Sequence, residues 1–155
     1  KKKIMIKAKN SFISSTFWSE RIGFVAANIT LDIMKKTKSQ KLIIKNGKYF
    51  EKKLKEISYK NGIQLDISSI YSIISFKFKE DHQFLKTFVT QEMLKYGFLA
   101  SNVIYVSTEH KKKIIDKYIT YLDKVFKKIK KKSYKIKNLI LDGPVSKSHF
   151  KRLNA

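Results

Sequence analysis

Cysteine is absent from this chain, and proline occurs once, at Pro144. Without a thiol, neither a disulfide nor a thiolate metal site can form, and a reducing compartment is allowed rather than demanded. Arginine is nearly as scarce: Arg21 and Arg152 stand alone among 35 basic residues, the rest being lysine. Base edges and phosphates are read best by the planar fork of arginine, so the shortage weakens any reading as a specific nucleic-acid binder. Acidic residues are also few, 12 against 35, which leaves a net charge of +23. Charge of that size is the footprint of a phosphate-backbone binder. Here, however, the lysines are spread along polar helix faces beside many Ile and Asn residues, the pattern of AT-rich coding, and no specific nucleic-acid partner is expected. No stretch approaches the roughly 20 apolar residues that cross a bilayer, so no membrane segment is expected and the chain reads as a soluble, cytoplasmic protein. The basic opening Lys1-Lys2-Lys3-Ile4-Met5-Ile6-Lys7 is followed by no apolar segment or small-residue cleavage site, so a secretory signal is not expected either. The first residue is Lys rather than Met, and a fragment of a longer protein is the expectation.

What is present is periodicity. A length of 155 residues allows one compact domain that buries roughly 70% of its unfolded surface. From Ser19, read as an N-cap, Ile22, Val25, Ala26, Ile29 and Ile33 recur at three- and four-residue spacing and predict a helix to about Lys36. A second helix is predicted over 39–60, with Ile43, Gly47, Phe50, Leu54 and Ile57 on one face and Asn61-Gly62 as its stop. The period then changes to two. Ile63, Leu65 and Ile67 predict one strand, and Ile70, Ser72, Ile74, Phe76 and Phe78 the inner side of a second. Asp81 and His82 open a helix through roughly Tyr96, with Phe84, Leu85, Phe88 and Leu94 as apolar contacts and Gly97 as its end. A strand over 98–106 follows, then a helix over 111–130 carrying Ile115, Tyr118, Leu122, Val125 and Ile129, its stripe widened by Ile114 and Phe126. This order predicts an α+β fold with helices packed on a small, mostly antiparallel sheet.

Few residues suggest chemistry. His82, His110 and His149 lie far apart, none paired with a carboxylate at helical spacing, and no metal site is expected. There is neither a Gly-x-Ser-x-Gly elbow nor a glycine-rich phosphate loop. Asp66, Glu80, Asp81 and Glu92 fall at strand ends, a helix start or a polar helix position, and are expected to be solvated or capping carboxylates. One segment stands apart: Ser14-Ser15-Thr16-Phe17-Trp18-Ser19-Glu20-Arg21 sets hydroxyls just before a helix. Hydroxyls and free N–H groups at a helix N-terminus favour an anion such as phosphate. Capping by Ser19, with Phe17 and Trp18 as core aromatics, accounts for the same residues.

The run Ser11-Phe12-Ile13-Ser14-Ser15-Thr16-Phe17-Trp18-Ser19-Glu20-Arg21-Ile22-Gly23 resembles the turn into a long helix in class III aminotransferases of the glutamate-1-semialdehyde 2,1-aminomutase type. Thr90-Gln91-Glu92-Met93-Leu94-Lys95-Tyr96-Gly97-Phe98-Leu99-Ala100-Ser101 is similar to that family's helix, glycine and strand in the small domain. Val106-Ser107-Thr108-Glu109-His110 resembles its Ser-x-x-His step before the final helix, and Gly143-Pro144 with Phe150-Lys151-Arg152-Leu153 a tail found in some members.

The resemblance implies the C-terminal portion of a fold type I enzyme that uses pyridoxal 5'-phosphate (PLP). In that portion 1–36 would end the large cofactor-binding domain and form the interdomain helix, 37–132 would be the small domain and 133–155 a tail. It implies a homodimer whose active sites draw on both subunits, with Thr16, and less directly Ser15, touching the neighbouring subunit's cofactor phosphate. The Schiff-base lysine, the aspartate on the pyridine nitrogen and the stacking aromatic would all precede Lys1, so no catalytic residue is expected in this chain. The implied reaction moves an amino group between a small-molecule amine or amino acid and a carbonyl acceptor. Between Ser101 and Tyr105 the sequence is shorter than the aminomutases and lacks their glutamate, which favours intermolecular transfer over the aminomutase reaction. A lysine-rich nucleic-acid-binding module is the competing reading.

Overall fold

A computed structural model of the chain describes residues 6, 20–131 and 139–147. Thr16, Ser15 and the rest of the hydroxyl segment before Glu20 lie outside the described residues, as do the tail residues 148–155. The chain divides into two compact units, Lys1–Ser39 and Gln40–Ala155.

In the first unit, α1 spans Arg21–Thr37. Glu20 takes the N-cap position assigned above to Ser19, with extended backbone and no side-chain hydrogen bond to the helix. Lys38 ends the helix at a left-handed φ of 51°, its N–H donating to the Met34 carbonyl. The predicted stripe is helical, but none of α1 is buried. Ile22, Ile29 and Ile33 are exposed, and so are Phe24 and Leu31, which lie off that stripe. A helix apolar on most of its circumference is the kind that whole proteins bury.

The second unit follows the predicted order: α2 Ser39–Asn61, β1 Leu65–Ile70, β2 Ile73–Phe78, α3 His82–Leu94, β3 Val103–Tyr105 and α4 Lys112–Lys131. The sheet is antiparallel in the order β1-β2-β3. Its register sets Ile67 opposite Phe76 and Ile74 opposite Ile104, side chains that join the core. The core is completed by Leu54 and Phe50 of α2, Phe88 and Met93 of α3, and Leu122 and Phe126 of α4. Phe78 meets Phe126 edge to face at 6.2 Å, a geometry that aligns ring edge with ring face.

Two glycines end helices by the same device. Gly62 (φ 66°) and Gly97 (φ 80°) adopt the left-handed conformation that costs other residues energy. Around each, paired bonds close the last turn: Gly62 N–H to Tyr59 and Ile63 N–H to Ser58, then Gly97 N–H to Leu94 and Phe98 N–H to Met93. Gly47 is needed for a different reason, since a Cβ there would stand 1.8 Å from the Tyr71 carbonyl oxygen. Helix α2 therefore passes directly against the β1–β2 turn.

The structure corrects several details. Ile70 closes β1, paired with Ile73, and Tyr71 and Ser72 form the turn, so Ile70 and Ser72 do not belong to β2. Leu94 and Ile114 are exposed rather than packed. The strand expected over 98–106 shrinks to three residues. Gly97 turns the chain so that 98–101 leave the ladder. Contact with β2 resumes at Asn102, whose backbone carbonyl accepts from Phe76 N–H and whose side-chain amide donates to the Phe76 carbonyl.

Candidate functional site

Because 98–101 stand off the sheet, a cleft of about 290 Å³ opens between that loop, β3, α2 and α4. Phe50, Phe98, Ile104, Ile115 and Tyr118 form its walls, with Leu99 at the mouth. The Tyr118 ring is held by Phe50 at 5.5 Å and by Phe98 edge-on at 5.3 Å. Its hydroxyl is buried without a hydrogen-bond partner, and burial pushes its pKa well above the ordinary tyrosine value. His110, also lining the cleft, accepts the Ser107 N–H at Nδ1 (3.1 Å), which leaves Nε2 as the nitrogen open to a ligand. None of the twelve lining residues is Lys, Arg, Asp or Glu.

The outer face of the sheet has two characters. At one end Asp66, Ser68, Ser75 and Lys77 face water as a polar surface. At the other, Ile70, Ile73 and Tyr105 are exposed in register, beside a Leu99 that is 96% exposed. Together these side chains make an apolar patch at that end of the sheet.

The second polar feature lies on α3. Glu92, expected to be solvated, is 5% exposed. Its spacing explains why: Leu85, Phe88, Val89, Glu92 and Met93 form the buried stripe, so the carboxylate occupies a core-facing position. Lys128 of α4 binds one oxygen at 2.5 Å, while Lys95 at 2.7 Å and the Gln91 amide at 3.4 Å bind the other. Burial pushes the Glu92 pKa up, but the hydrogen bonds from Lys128, Lys95 and Gln91 outweigh it and bring the pKa to about 2. The residue is thus an anionic fastener between α3 and α4.

The segment 139–147 lies along the same helix. Gln91 donates to the Ile140 carbonyl and accepts Asp142 N–H, and Thr87 accepts Ser146 N–H at 2.9 Å. Gln83 accepts the Ser146 hydroxyl at 3.3 Å, so three side chains spaced four residues apart hold one extended strap.

These residues do not by themselves make a PLP site. An imine-forming lysine needs its amine made easier to deprotonate. Lys53 and Lys95 are shifted the other way, by the hydrogen bonds they donate to Glu56 and Glu92 respectively. His82 is held below its usual pKa by burial and then by Lys86 and Lys77, and its Nδ1 accepts Phe78 N–H at the end of β2. Among the described residues no three His, Cys, Asp or Glu side chains gather to hold a metal ion. Among the same residues no helix is long and apolar enough to cross a membrane.

The architecture defined here, three helices on one face of a three-stranded antiparallel sheet with a further helix before them, is found within a solved PLP-dependent protein. That structure is the PLP internal aldimine form of the FumI protein of Sphingopyxis sp. MTA144, which superposes with a TM-score of 0.70 at 20% sequence identity. The match covers 83% of this chain and 32% of FumI, so the chain spans about a third of that protein's length. At this identity the likeness is one of fold. No family model matches the chain. No curated protein matches it either.

Proposed function

We propose that the chain is the C-terminal part of a PLP-dependent aminotransferase, which transfers an amino group between an amine or amino acid and a carbonyl acceptor. The observation that carries this reading is the fold: 83% of the chain superposes on a third of a protein whose structure is a PLP internal aldimine form. The hydroxyl run at Ser14-Ser15-Thr16 and the helix–glycine–strand run from Thr90 to Ser101 support the same family from sequence. In this reading Thr16 and Ser15 hold the cofactor phosphate across a homodimer interface, where hydroxyls at a helix start favour an anion. The cofactor, when bound, supplies the electron sink for the carbon that bears the amine. The apolar end of the sheet and α1 are the surfaces the cofactor-bearing part would cover. The missing glutamate between Ser101 and Tyr105 favours intermolecular transfer over an aminomutase reaction.

The test is to express the reading frame extended upstream of Lys1 beside the chain alone. The extended protein is expected to bind PLP on a lysine preceding Lys1, located by reduction and peptide mapping, and the chain alone to show no turnover. Thr16→Ala in the extended protein is expected to weaken cofactor binding by about 1.5 to 3 kcal/mol, the value of a hydrogen bond to a charged group. An upstream frame without such a lysine would reject the reading. The net charge of +23 favours a second reading, a lysine-rich nucleic-acid module. That reading requires tight polyanion binding by the chain alone, falling steeply with salt.

A further inference from the structure

Charged residues make up 30% of this chain, most of them lysine, yet none of the twelve residues lining the cleft beside β3 is Lys, Arg, Asp or Glu. The nearby cation, Lys117, stands over the Phe98 ring at 6.0 Å and is not part of the lining. A cleft kept free of charge in so basic a protein suits a neutral occupant. A dicarboxylate entering it would leave its water and meet no Lys or Arg in the lining, which disfavours it.

Size narrows the occupant further. An apolar cavity of roughly 150 Å³ takes up benzene. At about 290 Å³ this cleft has room for a single ring with a short chain, or a comparable aliphatic group. Its polar equipment is sparse: the His110 ring, the Ser101 hydroxyl and the unpartnered Tyr118 hydroxyl. With Nδ1 of His110 engaged by Ser107 N–H, the neutral ring carries its proton on Nε2, a donor suited to an oxygen acceptor. The walls are preset by core contacts, because Phe50, Ile115 and Tyr118 are packed together from α2 and α4. A preformed apolar cleft with a few polar groups is the usual build of a small-molecule site.

We propose that this cleft binds a small uncharged molecule with an apolar body and one carbonyl or comparable oxygen, the apolar body between Phe98, Ile104 and Ile115 and the oxygen toward His110 Nε2. Resting on the aminotransferase reading, the site marks the carbonyl acceptor as an apolar aldehyde or ketone rather than a dicarboxylic oxoacid.

The experiment titrates the 155-residue chain, without cofactor, with phenylacetone and with 2-oxoglutarate, following backbone amide shifts by NMR in low and high salt. Phenylacetone is expected to shift Leu99, Ala100, Ile104 and His110 with one affinity, unchanged by salt. 2-Oxoglutarate is expected to give only scattered, salt-sensitive shifts at lysines. Leu99→Lys alters a side chain that is 96% exposed and Ile114→Lys one that is 45% exposed, so neither removes core packing. Each is expected to weaken phenylacetone by about tenfold or more while the amide spectrum otherwise persists, since each sets a charge at the wall of an apolar site. Saturable 2-oxoglutarate binding at these amides, or no phenylacetone shifts there, overturns the proposal. So does a chain that sediments as a dimer and gains phenylacetone binding only when Leu99→Lys separates it, which would assign the cleft to a second copy. Neither PLP nor turnover enters the measurement. Its failure therefore leaves the aminotransferase reading standing, and an upstream frame without a lysine rejects that reading without touching the cleft.

Discussion

Helices α1 and α4 have similar apolar spacing in sequence and opposite fates in the structure. In α4, Leu122, Val125 and Phe126 are fully buried while the lysines face out. In α1, Ile22, Val25, Ile29 and Ile33 have the same three- and four-residue spacing, and nothing is buried. Spacing reports which face of a helix is apolar; it does not report whether that face is buried. The difference is visible in the opposite face. That of α4 is almost wholly lysine, so one orientation satisfies it, whereas α1 also carries Phe24, Leu31 and Met34 and has no fully polar side to give to water.

The sharpest way to break this comparison is to truncate one apolar residue in each helix. Phe126→Ala removes a ring with no solvent exposure that meets Phe78 edge to face, and is expected to lower stability by about 3 to 5 kcal/mol. Ile29→Ala, at 53% exposure, is expected to stay within about 0.5 kcal/mol. Urea melts of the two variants check both values. A cost of several kcal/mol for Ile29→Ala would mean that α1 is covered after all.

Next in size is the ionic contact that ties α4 to α3, for which α1 has no counterpart among the described residues. Glu92 has a folded pKa of about 2 against 4.5 for the ordinary group. At 1.36 kcal/mol per pKa unit the difference is worth roughly 3 kcal/mol, a ceiling because Lys95 and Lys128 are about half exposed. A depressed carboxylate contributes its stability in full above the unfolded pKa and loses it as pH falls toward the folded one. Stability is therefore expected to decline between about pH 4.5 and pH 2. Thermal melts across that window should show a smaller decline for Glu92→Gln, which cannot titrate. An equal decline would show that other carboxylates, such as Asp123 between Asn61 and Lys127, carry the acid sensitivity.

Much of the fold was legible because its signals are local. The spans of α1, α2 and α4 follow from apolar spacing, and the ends of α2 and α3 from Gly62 and Gly97, which close their turns by backbone geometry alone. Details that depend on distant partners were not legible. The first half of the strand expected over 98–106 fails because Gly97 redirects the chain away from β2, and the shortening makes the cleft. The cleft itself joins residue 50 to residues 98–118 and has no contiguous motif. Glu92 was readable in principle, as an acid on the Leu85–Phe88–Met93 stripe. Its identity as a carboxylate suggested solvent, and only the approach of Lys128 from α4 makes burial tolerable. For the phosphate contact, the reading stands on Thr16 and Ser15 in sequence, outside the described residues.

The smallest expected effect concerns the strap over 139–147, a segment intermediate between the two helices: anchored, but mostly through its backbone. Thr87 Oγ1 accepts Ser146 N–H at 2.9 Å and donates to the Gln83 carbonyl at 2.7 Å, while Leu139, at the other end, is buried in the core. Thr87→Val keeps the shape of the side chain and removes both bonds, so the expected cost is about 1 kcal/mol. Global melts would barely register it. Hydrogen exchange separates the two ends: Ser146 N–H should exchange several-fold faster in the variant, while amides in the core of α4 keep their protection, because the strap opens without unfolding what lies beneath it. If exchange instead accelerates along α3 and α4 as well, the strap belongs to the same cooperative unit as the core. Its polar ladder would then stabilise the helices as directly as the Glu92 contact does.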